Sequence, residues 1–188
     1  MIASRADLRT YLEADRVALG GPSSLAARLL NDVWRFQRCL RVLEYRLNTN
    51  AHPALVVIAK LRHRRLGRQL GFTIPPNVFG PGLSIAHYGT IVVNGGARVG
   101  ANCRLHVDVN IGTAAGAQAA APKIGDNCYI GPGAKLFGAI EIGSGTAIGA
   151  NAVVDRSFPA GNVTLGGVPA RPISERGSGG LLIVGHPS

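Results

Sequence analysis

Three side chains able to move a proton stand near one another in the middle of the chain: His87, His106 and Asp108. Histidine is the natural general base near neutral pH, because its imidazole gains and loses a proton between about pH 5 and 8. His87 marks a break in an otherwise regular pattern. Aliphatic residues recur every six positions at Val93, Val99, Leu105 and Ile111, then again at Ile124, Ile130, Leu136, Ile142, Ile148 and Val154. Going backwards, Ile85 and Phe79 rejoin the period, but the step from Ile85 to Val93 is eight. The two extra residues fall within Ala86-His87-Tyr88-Gly89-Thr90 and take His87 off the buried row. Local rules tend to fail at functional sites, which favours a catalytic His87 over a histidine merely packed in a loop. With coils of about 18 residues, His106 falls on the coil beside His87, roughly one strand spacing of 4.8 Å away. There it can orient the base, contact a substrate or fill a corner. Asp108 can pair with a histidine or be a solvated turn acid.

The elements that position these residues follow from the period. Glycine follows many of the row residues, as Gly100, Gly112, Gly125, Gly131, Gly143 and Gly149, and small or apolar residues stand two places before them. A short fixed repeat is the signature of a parallel β-helix, in which each coil is too small to bury its own core and must stack on its neighbours. Residues 72–165 therefore form the β-helix, in about four to five three-sided coils. Between Ile111 and Ile124 the row gains seven residues, so 112–123 loops out. Residues 1–71 read as helical. A first segment runs from Leu8 to Leu19 and stops at Gly20-Gly21-Pro22. A second carries Leu25, Leu29, Val33, Phe36, Leu40, Leu43 and Leu47 on one face, with Ser23 or Ser24 as its cap. A third runs from His52-Pro53 to Leu70, with Pro53 in its first turn and Gly71 at its end. The fold class is mainly β, a parallel β-helix behind an N-terminal α-helical region. Residues 166–188 leave the repeat as a tail, and its last stretch, Ser174 to Ser188, reads as loosely held.

Composition narrows the classes. The 188 residues suit one compact domain or a small two-part chain. The 26 glycines are periodic and 46% of residues are hydrophobic, so the glycines read as turn residues and not as a linker. No apolar run nears the roughly 20 residues of a membrane span, and the N-terminus lacks the apolar core of a signal peptide. A cytoplasmic protein is the expectation. Three widely spaced cysteines make neither a disulfide framework nor a metal knuckle; Cys103 and Cys128 read as small core residues. The net charge is +10, densest at Arg62, His63, Arg64, Arg65 and Arg68. That cluster is a solvated helix face, an anion-binding patch or a field that draws in an anionic ligand. Without stacking aromatics or a reader motif it does not point to nucleic acid.

At the repeat the chain resembles the hexapeptide-repeat acyltransferases, and in particular their serine acetyltransferase branch. The resemblance rests on Gly82-Leu83-Ser84-Ile85-Ala86-His87-Tyr88-Gly89-Thr90-Ile91-Val92-Val93, on Ile130-Gly131-Pro132-Gly133-Ala134-Lys135-Leu136-Phe137-Gly138 and on Gly166-Gly167-Val168-Pro169-Ala170-Arg171. The helical part is short and resembles that of the compact relatives found with capsule and exopolysaccharide genes. The resemblance implies a left-handed parallel β-helix, a homotrimer with sites between subunits, acetyl-CoA as co-substrate and His87 as general base toward a hydroxyl. A groove for acetyl-CoA needs backbone donors for its amides and cations for its phosphates. Gly112, Thr113, Gly133, Ala134, Gly149 and Ala150 are candidates for the first, Lys135 and Arg171 for the second.

The chain departs from the serine enzymes at the acceptor side. The Asp that precedes their catalytic His is Ala86 here, an upstream Asp that orients it is Phe72, and an Arg-His pair in the extruded loop is Ala120 and Ala121. Asp15 resembles their amine-binding Asp and is the remaining candidate for holding substrate. The acceptor implied is serine, with a sugar hydroxyl as alternative. A non-catalytic trimeric scaffold is a second reading, though it needs neither the slip nor the loop. A metal-dependent hydratase needs three histidines, and the repeat holds only His87 and His106, so no metal is expected.

Overall fold

The computed structural model describes residues 1–21, 24, 30–116 and 120–187. Helix α1 spans Arg5–Ala18 and is capped by the Ser4 side chain, which accepts from the Asp7 N–H at 3.1 Å. It begins three residues before Leu8, because the cap sets the start of a helix and the apolar pattern does not. Helix α2 spans Asp32–Asn48, with the Asn31 side chain accepting from the Trp34 N–H at 2.9 Å. Val33, Phe36, Leu40 and Leu43 form its buried stripe as expected. Leu25, Leu29 and the cap residue Ser23 lie outside the described residues, and the Asn31 cap starts this helix well after Ser24. Helix α3 spans Pro53–Leu70, has Pro53 in its first turn and ends at Gly71, which takes the left-handed φ of 79° that such an end requires. Its cations Arg62, Arg64, Arg65 and Arg68 are exposed.

The repeat folds into a left-handed parallel β-helix. One sheet stacks β1 (Phe72–Thr73), β3 (Ile91–Val93), β6 (Asn110–Gly112), β9 (Lys135–Phe137) and β12 (Val153–Val154). A second holds β4 (Arg98–Val99), β7 (Lys123–Ile124) and β10 (Glu141–Ile142). The third runs β2 (Ser84–Ile85), β5 (Arg104–Leu105), β8 (Tyr129–Ile130), β11 (Ala147–Ile148), β13 (Thr164–Gly166) and β14 (Arg171–Ser174). Every pairing is parallel except β13 with β14. The hexad residues fill the interior: Ile85, Leu105, Ile130, Ile148 and Leu165 are buried, and Cys103 and Cys128 sit among them as small core residues. Asparagine turns several corners. Asn102 and Asn127 both have φ 55° and Asn162 has φ 51°. These are left-handed conformations that asparagine tolerates better than other side-chain-bearing residues.

The tail differs from the sequence expectation. β14 lies antiparallel on β13, and the chain then returns along the coils. The Ser178 N–H donates to the Gly145 carbonyl at 2.8 Å. Asn102 accepts from the N–H groups of Gly185 and His186 at 3.1 and 2.9 Å and donates to the His186 carbonyl at 2.8 Å. Corner groups invisible in the repeat pattern, the Asn102 side chain and the Gly145 carbonyl, give the tail its anchors.

One buried ionic cluster joins helices to coils. Arg41 is fully buried and uses all five of its N–H donors. Nε and Nη2 bond Asp15 at 2.8 and 3.2 Å, Nη1 bonds Glu44 at 3.0 Å, and the carbonyls of Phe79 and Gly80 take the other two at 2.9 and 2.7 Å. Burial pulls the guanidinium pKa down, but Asp15 and then Glu44 more than offset it, and the group is held firmly protonated. Removing the cation leaves two buried carboxylates without a counter-charge. Arg41→Met is therefore expected to lower unfolding free energy by about 3–5 kcal/mol, read from urea denaturation. A second expectation concerns the thiols. Burial raises the Cys128 pKa to about 11 and holds that of Cys103 well above the ordinary value of 9.0. Only thiolates react readily, so a maleimide should leave both unmodified in native protein at neutral pH and label both in denaturant, as read by mass spectrometry.

Candidate active site

The site grows from the first pairing of the third sheet. Ser84 stands opposite Arg104 and Ile85 opposite Leu105; one coil further, Arg104 faces Tyr129 and Leu105 faces Ile130. Successive strand residues point to opposite faces. With Ile85, Leu105 and Ile130 buried inside, the row Ser84, Arg104, Tyr129 lies on the outer face. His87 and His106 follow at the next corner. The coil from Ile85 to Leu105 is two residues longer than the regular coil from Ile130 to Ile148. His106 therefore aligns with Ala86, one position short of His87.

The elongated loop is fastened at both ends. The Ala86 N–H donates to the Leu105 carbonyl at 2.9 Å, Gly89 N–H to the Leu70 carbonyl at 2.9 Å, and Ile91 N–H to the Gly71 carbonyl at 3.0 Å. The C-terminus of α3 thus supports the loop from below. The His87 side chain is exposed, next to Tyr88, which is 72% exposed.

Of the residues expected at the site, the fold brings His87 and His106 together. Their ring centroids are 6.4 Å apart, at an interplanar angle of 59°. His106 is half-buried, with the Tyr129 ring 4.9 Å away and Arg104 Nε 3.4 Å from its Nε2. Burial first, then the Arg104 cation and His87, lower the His106 pKa. The imidazole is thereby kept neutral at pH 7.

Asp108 is not part of this group. It occupies a corner with φ 62°, is exposed, and pairs with Lys135 Nζ at 3.2 Å. It is a turn acid whose charge is engaged by the neighbouring coil. Asp15 also changes role. It is fully buried, and besides Arg41 it accepts from the N–H groups of Gly82 and Leu83 at 2.9 Å each. With four donors on two oxygens, it has no capacity left for a substrate amine. It holds the chain just before His87 instead.

The candidate acetyl-CoA contacts divide in the same way. Gly133 N–H donates to the Val107 carbonyl at 2.9 Å, Ala134 N–H to that of Gly131 at 3.3 Å and Gly149 N–H to that of Leu165 at 2.8 Å. Those three donors are spent within the coils. Gly112 and Thr113, half-exposed where the loop leaves β6, and Ala150, exposed at a corner, are accessible. Arg171 is exposed, whereas Lys135 is engaged by Asp108. Phe72 is core, stacked edge-on against Phe36 with centroids 5.0 Å apart. A groove of about 510 Å³ between α3 and β1, reaching Arg64, Arg68 and Thr90, does not include His87. Among the described residues no His, Cys, Asp or Glu cluster could hold a metal, and no helix is long and apolar enough to cross a membrane.

Residues 121–156 match the family model described as bacterial transferase hexapeptide (six repeats). A serine acetyltransferase of Synechococcus elongatus is 31% identical over 175 residues, covering 92% of this chain and 68% of the relative. The chain belongs to the serine acetyltransferase family. It is an acyltransferase. The serine acetyltransferase of Salmonella typhimurium is 36% identical over 105 residues, 55% of this chain and 38% of that protein. Among solved structures, the soybean serine acetyltransferase apoenzyme superposes with TM-score 0.75 at 28% identity, over 89% of this chain and 69% of that one. The Brucella abortus serine acetyltransferase in complex with coenzyme A gives 0.73 at 28% identity, over 92% and 68%.

Sequence reasoning missed Arg104. Its signal was its place directly before Leu105, on the outer face of a strand; assuming an 18-residue coil hid its alignment with Ser84. The Arg104 charge is the second cause of the His106 shift. By NMR titration His106 should protonate below the ordinary 6.5, and Arg104→Gln should raise its midpoint toward that value, because a cation that disfavours the imidazolium is gone.

Proposed function

We propose that the protein transfers the acetyl group of acetyl-CoA to the hydroxyl of a serine-like acceptor, with His87 as general base. A trimer is part of this reading. In a single chain His87 stands open to solvent, and a second copy would supply the wall that excludes water. The acceptor hydroxyl gives its proton to the free imidazole nitrogen of His87 as its oxygen attacks the thioester carbonyl. The tetrahedral intermediate collapses by breaking the carbon–sulfur bond. The thiolate takes the proton back from His87 and leaves as coenzyme A, and the acceptor leaves as an O-acetyl ester. Proton and charge balance without a metal or a redox partner.

The observation that carries this reading is the exposed imidazole of His87, at a pinned two-residue lengthening of a coil and beside a histidine kept neutral. A stacking scaffold gains nothing from that lengthening. Thiol release from acetyl-CoA is the test, with serine and a panel of hydroxyl acceptors. General-base removal typically costs about 10²–10⁴-fold, so His87→Ala should lower kcat by that range while acetyl-CoA binding, measured by calorimetry, stays the same. Wild-type turnover in the variant would refute the assignment.

A further inference from the structure

Arg104 is the half-buried arginine of the β-helix; Arg98, Arg156, Arg171 and Arg176 are exposed. It has no carboxylate partner among the described residues. Its side-chain hydrogen bonds are two, both at the outer limit of distance: Nε to His106 Nε2 at 3.4 Å and Nη1 to Ser84 Oγ at 3.4 Å. Arg41 shows the contrast, with five bonds and two carboxylates around one guanidinium. A guanidinium carries five donors in a planar fork that matches a carboxylate. Here the rest of that fork has no protein partner among the described residues, in a half-buried position beside His106. The acids that could have neutralised it are committed elsewhere, Asp15 to Arg41 and Asp108 to Lys135.

We infer that Arg104 is the anion subsite of the acceptor pocket, and that the hydroxyl acceptor carries a carboxylate. This rests on the acyl-transfer reading above. Arg104 Nε lies 3.4 Å from His106 Nε2, and the His106 ring centroid lies 6.4 Å from that of His87, so His106 links the guanidinium to the exposed imidazole. The cation that the serine enzymes are expected to place in the extruded loop, where this chain has Ala120 and Ala121, is here rooted on β5. A strand residue between Ser84 and Tyr129 is held more firmly than one on a loop.

The test uses the full chain and two acceptors with the same hydroxyl, L-serine and L-serinamide, the second lacking the carboxylate charge. The wild type should prefer serine by about tenfold or more in kcat/KM. Arg104→Gln should raise KM for serine and bring the preference to within about twofold; Arg104→Lys should recover part of it. Thermal midpoints confirm that each variant is folded, and if Arg104→Gln is not, Arg104→Lys carries the comparison through its weaker preference for serine. An unchanged preference in folded Arg104→Gln, or a wild type that turns over serinamide or a neutral sugar as well as serine, overturns the subsite and leaves acyl transfer standing. No thiol release with any acceptor, in wild type and His87→Ala alike, removes the acyl-transfer reading and this inference with it.

Discussion

The buried guanidinium of Arg41 is the constraint on which the rest of the structure depends. A charge removed from water is tolerated only when its donors are matched and its charge is met. Meeting those demands draws in groups from four places: Asp15 on α1, Glu44 on α2, and the carbonyls of Phe79 and Gly80 where the coils begin. Asp15 then bonds the Gly82 and Leu83 N–H groups, and Gln37 on α2 donates to the Leu83 carbonyl at 2.6 Å. Each contact lies five residues or fewer before His87. The helical layer is thus a clamp on the segment that leads into His87, and the Leu70 and Gly71 carbonyls at the end of α3 hold the segment that leads out of it.

Such a clamp is needed because the β-helix alone would not hold a lengthened coil. Regular coils repeat their hydrogen bonds at a fixed interval, and each extra residue removes a ladder position. After the insertion that follows β6, the coil resumes at Lys123, which faces Arg98. The two-residue insertion at His87 stays within the wall. Its ends pair with the next coil through the Ala86 N–H and the Thr90 carbonyl, and the Gly89 and Ile91 N–H groups take acceptors from the end of α3.

How much of this was legible depends on the kind of force involved. The rows of Ile and Leu were readable because burial of apolar side chains repeats with the geometry of the coil. Gly71 and Pro53 were readable because each answers a local backbone need. His87 was visible as a broken period. Arg104 was not, since its alignment follows from the true length of one coil, and that length is a tertiary fact. Asp15 showed a carboxylate on a helix without showing that an arginine 26 positions later would consume it. Asp108 looked like a partner for histidine because sequence proximity does not reveal that its backbone turns a corner with φ 62°. The tail looked loose because its partners, the Asn102 amide and the Gly145 carbonyl, belong to corners.

The charge balance around His87 follows from these commitments. Acids that would ordinarily flank a catalytic histidine raise the stability of its protonated form and favour proton uptake. Here Ala86 and Phe72 occupy two such places, and Asp15 and Asp108 are neutralised by Arg41 and Lys135. What remains beside His87 is His106, whose pKa burial, Arg104 and His87 lower, with Arg104 next to it and without a carboxylate partner among the described residues. The clamp that consumes Asp15 for stability and the cation left open on β5 are two sides of one arrangement. The protein's own carboxylates secure the scaffold, and Arg104 is left without one among the described residues.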